Sequence, residues 1–267
     1  MKESFRSLFR DHTRQKLTIL LAAFLVILVL FTGIFSYLQS RDSVSNRMTG
    51  RNGSVTLLEP EWDRSGQELA KAAEPGMQIP KDPYGYNDGQ ADLYVRLVMT
   101  VELGAFDTSG KTEAYRSRYN ADEEARDQRR LRSIAEAIQY VSGGTAVPLL
   151  TLDSTGDVKD WTITSCENAD FVYDPANHAQ TDDELVFYFY YTAGDREGSD
   201  DMMHLVAPDG STARLFQRVD IPVYKEDYFG VFDQRFQIRI QAQAVPAADY
   251  PDGLKAEDAA GAFDASA

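Results

Sequence analysis

A single cysteine, Cys166, stands among 267 residues. One thiol cannot close an intramolecular disulfide, so stability has to come from a packed core. Histidine is nearly as scarce: His12, His178 and His204 complete the set. None lies in an H-E-x-x-H or comparable ligand pair, which leaves a zinc peptidase site without sequence support. The chain also lacks a G-x-S-x-G elbow, a phosphate-binding glycine loop and a Cys–His signature. Positive charge is short, with 27 Lys and Arg against 42 Asp and Glu and a net charge of −15. The first 41 residues hold six Lys/Arg and two Asp/Glu, which leaves the remainder at −19. That balance excludes a general electrostatic attraction to nucleic acid or anionic lipid. There is no internal repeat, and only one apolar run is long enough to span a membrane.

That run is Leu17 to Leu38, about 22 residues without a charge, enough for a helix to cross roughly 30 Å of hydrocarbon. Lys2, Arg6, Arg10, Arg14 and Lys16 precede it, against Glu3 and Asp11. The positive-inside rule keeps the N-terminus in the cytoplasm and exports the residues beyond about 41. The run is longer than a typical secretory h-region and no Ala-x-Ala follows it. Ser36, next to Tyr37, is the best small residue for cleavage, with Ile34 two positions before it. The balance favours a retained membrane anchor, with secretion after cleavage as the alternative. An exported chain with almost no cysteine also fits a Gram-positive-type surface.

The expected organisation is a basic cytoplasmic segment (1–16), the membrane or signal helix (17–38), a polar linker (39–53), an extracellular domain (54–250) and an Ala/Asp-rich tail (251–267) that ends as a short helix or stays unfolded. The domain's aromatics, drawn from 14 Phe, 14 Tyr and 2 Trp in the chain, are ample for a core. Ser54 to Leu58 reads as a first strand, and Glu59 to Asn87, with Pro60, Pro75, Pro80 and Pro83, as loop and edge strand. Leu93 to Leu103 and Glu184 to Thr192 alternate with period two, as does Arg235 to Val245, and Val158 to Cys166, Ala169 to Tyr173 and Arg214 to Val223 complete the strands. Asn120 to Val141 switches to helical spacing through Leu131, Ile134, Ala135 and Ile138, and Gly143-Gly144 is expected to end it. These elements predict a mainly β chain: an antiparallel β-sandwich, jelly-roll or immunoglobulin-like, with one inserted amphipathic helix at about 120–141 and a single N-terminal transmembrane or signal helix.

No catalytic or metal site and no cofactor is expected. Cys166 closes an apolar strand and reads as a small buried hydrophobe. Asp195, Asp200 and Asp201 lack the spacing of a calcium loop. Lys81 and Asp82 follow the Pro75-Gly76 turn and read as an exposed structural pair.

Three stretches together carry a resemblance. Ser36-Tyr37-Leu38 with Asn46-Arg47-Met48-Thr49-Gly50 resembles A-Y-F…N-x-F-T-x-G. Leu58-Glu59-Pro60-Glu61-Trp62-Asp63 and Pro75-Gly76-Met77-Gln78-Ile79-Pro80-Lys81-Asp82-Pro83 resemble E-P-x-W-D and P-G-x-x-I-x-K-D-P. Asn87, Gly89, Asp92, Tyr94 and Val95 keep five positions of N-x-G-x-x-D-A-Y-V. Leu215 to Pro222 and Phe236 to Val245 are similar to the final strands. These are motifs of the TasA/camelysin-like exported proteins of Gram-positive bacteria, and positions 104–183 are unmatched. Ser36 departs from the usual Ala, and Pro246 stands where the last strand often continues.

The resemblance implies processing by a SipW-type signal peptidase and a structural role for Glu59, Pro60, Trp62, Asp63, Pro75, Gly76, Lys81, Asp82, Pro83, Asn87, Gly89, Tyr94 and Val95. It further implies a cell-surface or biofilm-matrix protein, a fibre subunit or membrane-held minor component, whose partners are itself or related matrix subunits. Assembly would proceed by lending the strand that carries Val55 and Leu57 to a neighbour. Two other classes remain open. One is a tethered module binding a wall polymer or partner protein through an aromatic patch at Tyr188 and Tyr190. The other is a camelysin-like peptidase using His178 or His204.

Overall fold

The computed structural model describes residues 54–74, 76–106, 123–153, 162–174, 179–180, 184–194, 201–221 and 234–264. All lie in a unit spanning Tyr37–Ala267. The Leu17 to Leu38 run, Ser36, Tyr37, Pro75, His178, Asp195 and Asp200 fall outside the described residues. Among the described residues no helix is long and apolar enough to cross a membrane.

The fold is mainly β, and every strand pairing described is antiparallel. Its centre is β4 (Leu93–Phe106). Leu93, Val95, Leu97, Met99, Val101 and Leu103 point one way into the main core, while Tyr94, Arg96 and Val98 alternate with them on the other face. β14 (Gln234–Pro246) pairs along the whole of β4, from Gln234 opposite Phe106 to Pro246 opposite Leu93. Pro246 therefore ends the strand without shortening it, because a terminal position needs no ladder donor. On the other edge of β4 lies β11 (Glu184–Tyr191), continued by β12 (Leu205–Val206) opposite Tyr94 and Leu93. β9 (Phe171–Tyr173) and β10 (Ala179–Gln180) flank β11.

A second sheet runs β2 (Gln78–Pro80), β13 (Arg218–Asp220), β5 (Ile138–Ser142), β6 (Thr145–Pro148). Two short ribbons complete the β structure. One pairs β1 (Val55–Leu58) with β3 (Tyr84–Asn87); the other pairs β7 (Leu150–Asp153) with β8 (Thr162–Cys166). Leu131, Ile134 and Ala135 of the long helix (Glu123–Ala137) are fully buried in the same core as β4 and β11.

Several expectations need correction. The edge strand expected within Glu59 to Asn87 includes β3, which pairs with β1, but a helical segment over 60–71 stands where loop was expected. The helix stops at Ala137, and Ile138 to Ser142 extends as β5. Gly143 and Gly144 do not cap the helix; with φ of +56° and +84° they form the two-residue turn from β5 to β6. The strand expected at Arg214 to Val223 is reduced to Arg218–Asp220 among the described residues.

The Ala/Asp-rich end is part of the folded unit. After turns at Ala247–Asp249 and Ala256–Asp258, a short helix, Ala259–Asp264, docks on the outer face of β4, β11 and β14. Phe263 packs 5.9 Å from the Tyr190 ring, and Leu254, Ala256 and Ala259 fill in beside Tyr94 and Val245. Arg96 is held between the rings of Tyr188 (5.0 Å) and Phe263 (4.6 Å), bonded to Gln243 Oε1 (2.6 Å) and Asp264 Oδ1 (2.9 Å). The Tyr188 and Tyr190 face is thus covered, with Tyr190 wholly buried.

Burial raises the hydroxyl pKa of Tyr173, Tyr190 and Tyr191 above their ordinary 10.0. A folded value above the unfolded one means the stabilising contribution is complete below about pH 10 and is lost as pH climbs through the folded values. In an alkaline titration these rings should ionise late, in one step with loss of near-ultraviolet circular dichroism. Early, non-cooperative ionisation of all tyrosines would contradict this packing.

Candidate functional site

The two motif segments separated by about 20 residues form one joint. β1 ends at Leu58, and the chain turns at Glu59 into a helical segment that begins at Pro60 and runs through Trp62–Gly66 and Gln67–Lys71. Proline suits a first helical position because its missing N–H would have no partner there. The next two N–H groups, of Glu61 and Trp62, are also orphans of the helix start. The Glu61 N–H donates to Asp82 Oδ1 at 2.8 Å, and the Trp62 N–H also favours the charged form of that carboxylate. Asp82 therefore caps a helix to which it is not joined in sequence. Arg214 brings Nε to 3.3 Å from Asp82 Oδ2.

Beside it, Lys81 Nζ donates to Glu59 Oε1 at 2.7 Å, with side chains only 1 % and 6 % exposed. The ammonium group also lies 4.5 Å from the centre of the Trp62 ring. Gly66 makes the close packing possible. A Cβ there would lie 2.2 Å from the Pro80 carbonyl oxygen and 2.7 Å from the Trp62 ring. Burial lowers the Lys81 pKa, opposed by its attraction to Glu59, and burial raises that of Asp82, opposed by the two N–H groups and Arg214.

The expectation of an exposed Lys81–Asp82 pair is therefore corrected: both side chains are 1 % exposed. Sequence reading treated each segment as local and had no means of seeing that one covers the other. Asp63 stays on the surface, its N–H bonded to the Glu59 carbonyl. Pro83 is buried, and its carbonyl accepts the Leu215 N–H at 2.9 Å. Gly76, with φ of +84°, forms the turn and donates to the Ile221 carbonyl. Gly66 and Arg214 are the members of the joint that sequence reading missed. The signal for Gly66 was its place one turn after Trp62.

Asn87 and Gly89 belong to a second knot, while Tyr94 lies in the outer cluster and Val95 in the main core. Asn87, wholly buried, donates to the carbonyls of Ala91 and Val206 (both 2.8 Å) and accepts from the Gly89 N–H (3.0 Å). It ties the turn after β3 to β12. Asn87→Ala leaves the buried Val206 carbonyl and the partly buried Ala91 carbonyl without their donor and should cost about 1–3 kcal/mol, read as a lower urea midpoint at unchanged slope.

The remaining sequence candidates do not converge. His204 is exposed, its ring edge-on to Tyr191 at 5.7 Å. Cys166 Sγ lies 3.8 Å from the Asn168 carbonyl, half-buried against the core. Asp201 is exposed. Among the described residues no group of three or more His, Cys, Asp or Glu is arranged to hold a metal ion. Val55 and Leu57, at 2 % and 5 % exposure, sit in the main core. The Lys81 joint is closed to solvent, so its chemistry is that of a fastening: it fixes where β1 ends and where β3 begins. No family model matches this chain, and none of the curated proteins compared with it does.

Proposed function

We propose that this chain is an exported, non-catalytic structural protein of the bacterial surface or matrix, a fibre subunit or a membrane-held minor component that assembles by strand exchange. Its two sheets would form an antiparallel sandwich of the jelly-roll or immunoglobulin-like kind. Its N-terminal apolar run would deliver it across the membrane and either stay as an anchor or be removed by a SipW-type signal peptidase.

The observation that carries the reading is the far edge of β14. Among the described residues β14 pairs only with β4. A long edge strand with alternate apolar residues on its core face is a template for a strand from another chain. β1 lies against β14 without pairing with it, which brings the first strand of the exported part close to that edge. The two motif segments add support, since their joint sets the point at which β1 leaves the core.

A polymer-binding reading through Tyr188 and Tyr190 gains nothing from the geometry, because Tyr190 lies under Phe263. The experiment is electron microscopy and sedimentation of the exported protein over a wide concentration range, with and without residues 37–58. Filaments or ordered oligomers that need those residues support strand exchange; strict monomers under every condition would sink it.

A further inference from the structure

We propose that Lys81 and Glu59 are a site of self-catalysed amide formation, in which the lysine Nζ becomes acylated by the glutamate side chain with loss of one water. The geometry points to it in three ways. First, Nζ is 2.7 Å from Glu59 Oε1, and both groups are shut away from bulk water. Second, the Trp62 ring covers the amine at 4.5 Å, and the ring is itself held by the close approach of Gly66, where a Cβ would clash with it. Third, a second buried carboxylate, Asp82, follows Lys81 directly in the same joint. Asp82 Oδ2, in ion-pair range of Arg214, accepts no hydrogen bond among the described residues.

Burial disfavours the charged form of Lys81 and lowers its pKa, which eases release of the proton that the step requires. With the proton moved from Nζ to the glutamate carboxyl, the amine lone pair attacks Glu59 Cδ. An N–C bond forms and a C–O bond breaks. The departing hydroxyl takes the second proton from nitrogen, and water is the by-product. Asp82, the other buried carboxylate of the joint, is the group we assign to relay that proton. The step is a condensation and needs neither oxidant nor reductant. The product would tie the end of β1 to the segment between β2 and β3, a cross-link that a chain with one cysteine cannot make by disulfide.

The test is peptide mass spectrometry of the full-length chain purified from membranes or medium, and it does not depend on whether the protein assembles. If the link forms, trypsin cannot cut after Lys81, and residues 52–64 and 72–96 appear as one branched peptide, 18 Da lighter than their sum. Recovery of 52–64 and 72–81 as separate, unmodified peptides from folded protein overturns the proposal. Glu59→Gln should form the same link with loss of ammonia, 17 Da, and Glu59→Ala should form none. A link persisting in Glu59→Ala would reject Glu59 as the acyl donor. Asp82→Asn should slow link formation at least tenfold after refolding; an unchanged rate would remove the relay. The wild-type peptides decide the main question even if a variant fails to fold.

Discussion

Against wild-type chain that carries no Lys81–Glu59 link, replacing Lys81 by Met is expected to destabilise the domain by about 3–5 kcal/mol, the usual cost of removing one partner from a buried ion pair. The size follows from what stays behind. Glu59 is 6 % exposed, and its Oε1 loses the Lys81 Nζ donor. The Trp62 ring loses the cation over its face. Met fills similar volume, so packing changes little and the electrostatic loss dominates. Glu59→Leu added to Lys81→Met removes the stranded carboxylate and should regain a substantial part of the loss. Urea unfolding of wild type, both single variants and the double variant forms a cycle that reads the coupling. A single-variant cost below about 1 kcal/mol, typical of exposed pairs, would mean that this joint is open to water and that the burial described here is wrong.

The joint also shows where sequence reading stops. β4, β11 and β14 were legible because their residues alternate with period two: in β4, Leu97, Met99 and Val101 face the main core, and Val98 and Thr100 the other face. Glu59, Lys81 and Asp82 carry no such signature. Charged residues near prolines look like solvated turns when each segment is taken alone. Their burial arises only when the Trp62 turn folds over Pro80. Resemblance to known motifs marked these positions as structural but supplied no geometry.

The helix boundary failed for a different reason. Ile138 continues the helical spacing of Leu131 and Ile134, so the apolar pattern alone does not mark Ala137 as the end. What overrides it is tertiary: β5 is held between β6 and β13, with Val219 opposite Ile138. Positive-φ glycines serve a helix end and a hairpin turn equally well, so Gly143-Gly144 could not discriminate. The C-terminal segment was read as a tail because alanine and aspartate signal little hydrophobic drive. Phe263 supplies the main aromatic anchor, by reaching Tyr190 and Arg96, with Leu254, Ala256 and Ala259 buried beside it.

Changing Val55 and Leu57 together to Asp is expected to abolish assembly while the β4–β11–β14 sheet stays folded. Burial of two such side chains is worth roughly 3–6 kcal/mol, and a carboxylate at either place adds a desolvation cost, so β1 will leave the core. What remains has support of its own. β14 pairs with β4 along its whole length, and β11 pairs with β4 from Glu184 to Tyr190 on the other side. The outer face is held by the Phe263 cluster, which β1 does not touch. β1 itself pairs only with β3 among the described residues, over four positions. Hydrogen exchange should therefore show β3 losing protection while β4 and β14 keep theirs, and sedimentation should show monomers. If protection is lost throughout, β1 is inseparable from its own core and cannot be lent to a neighbour. If protection persists and filaments still form, assembly runs through another surface, and the edge of β14 would have to be paired by a strand other than β1.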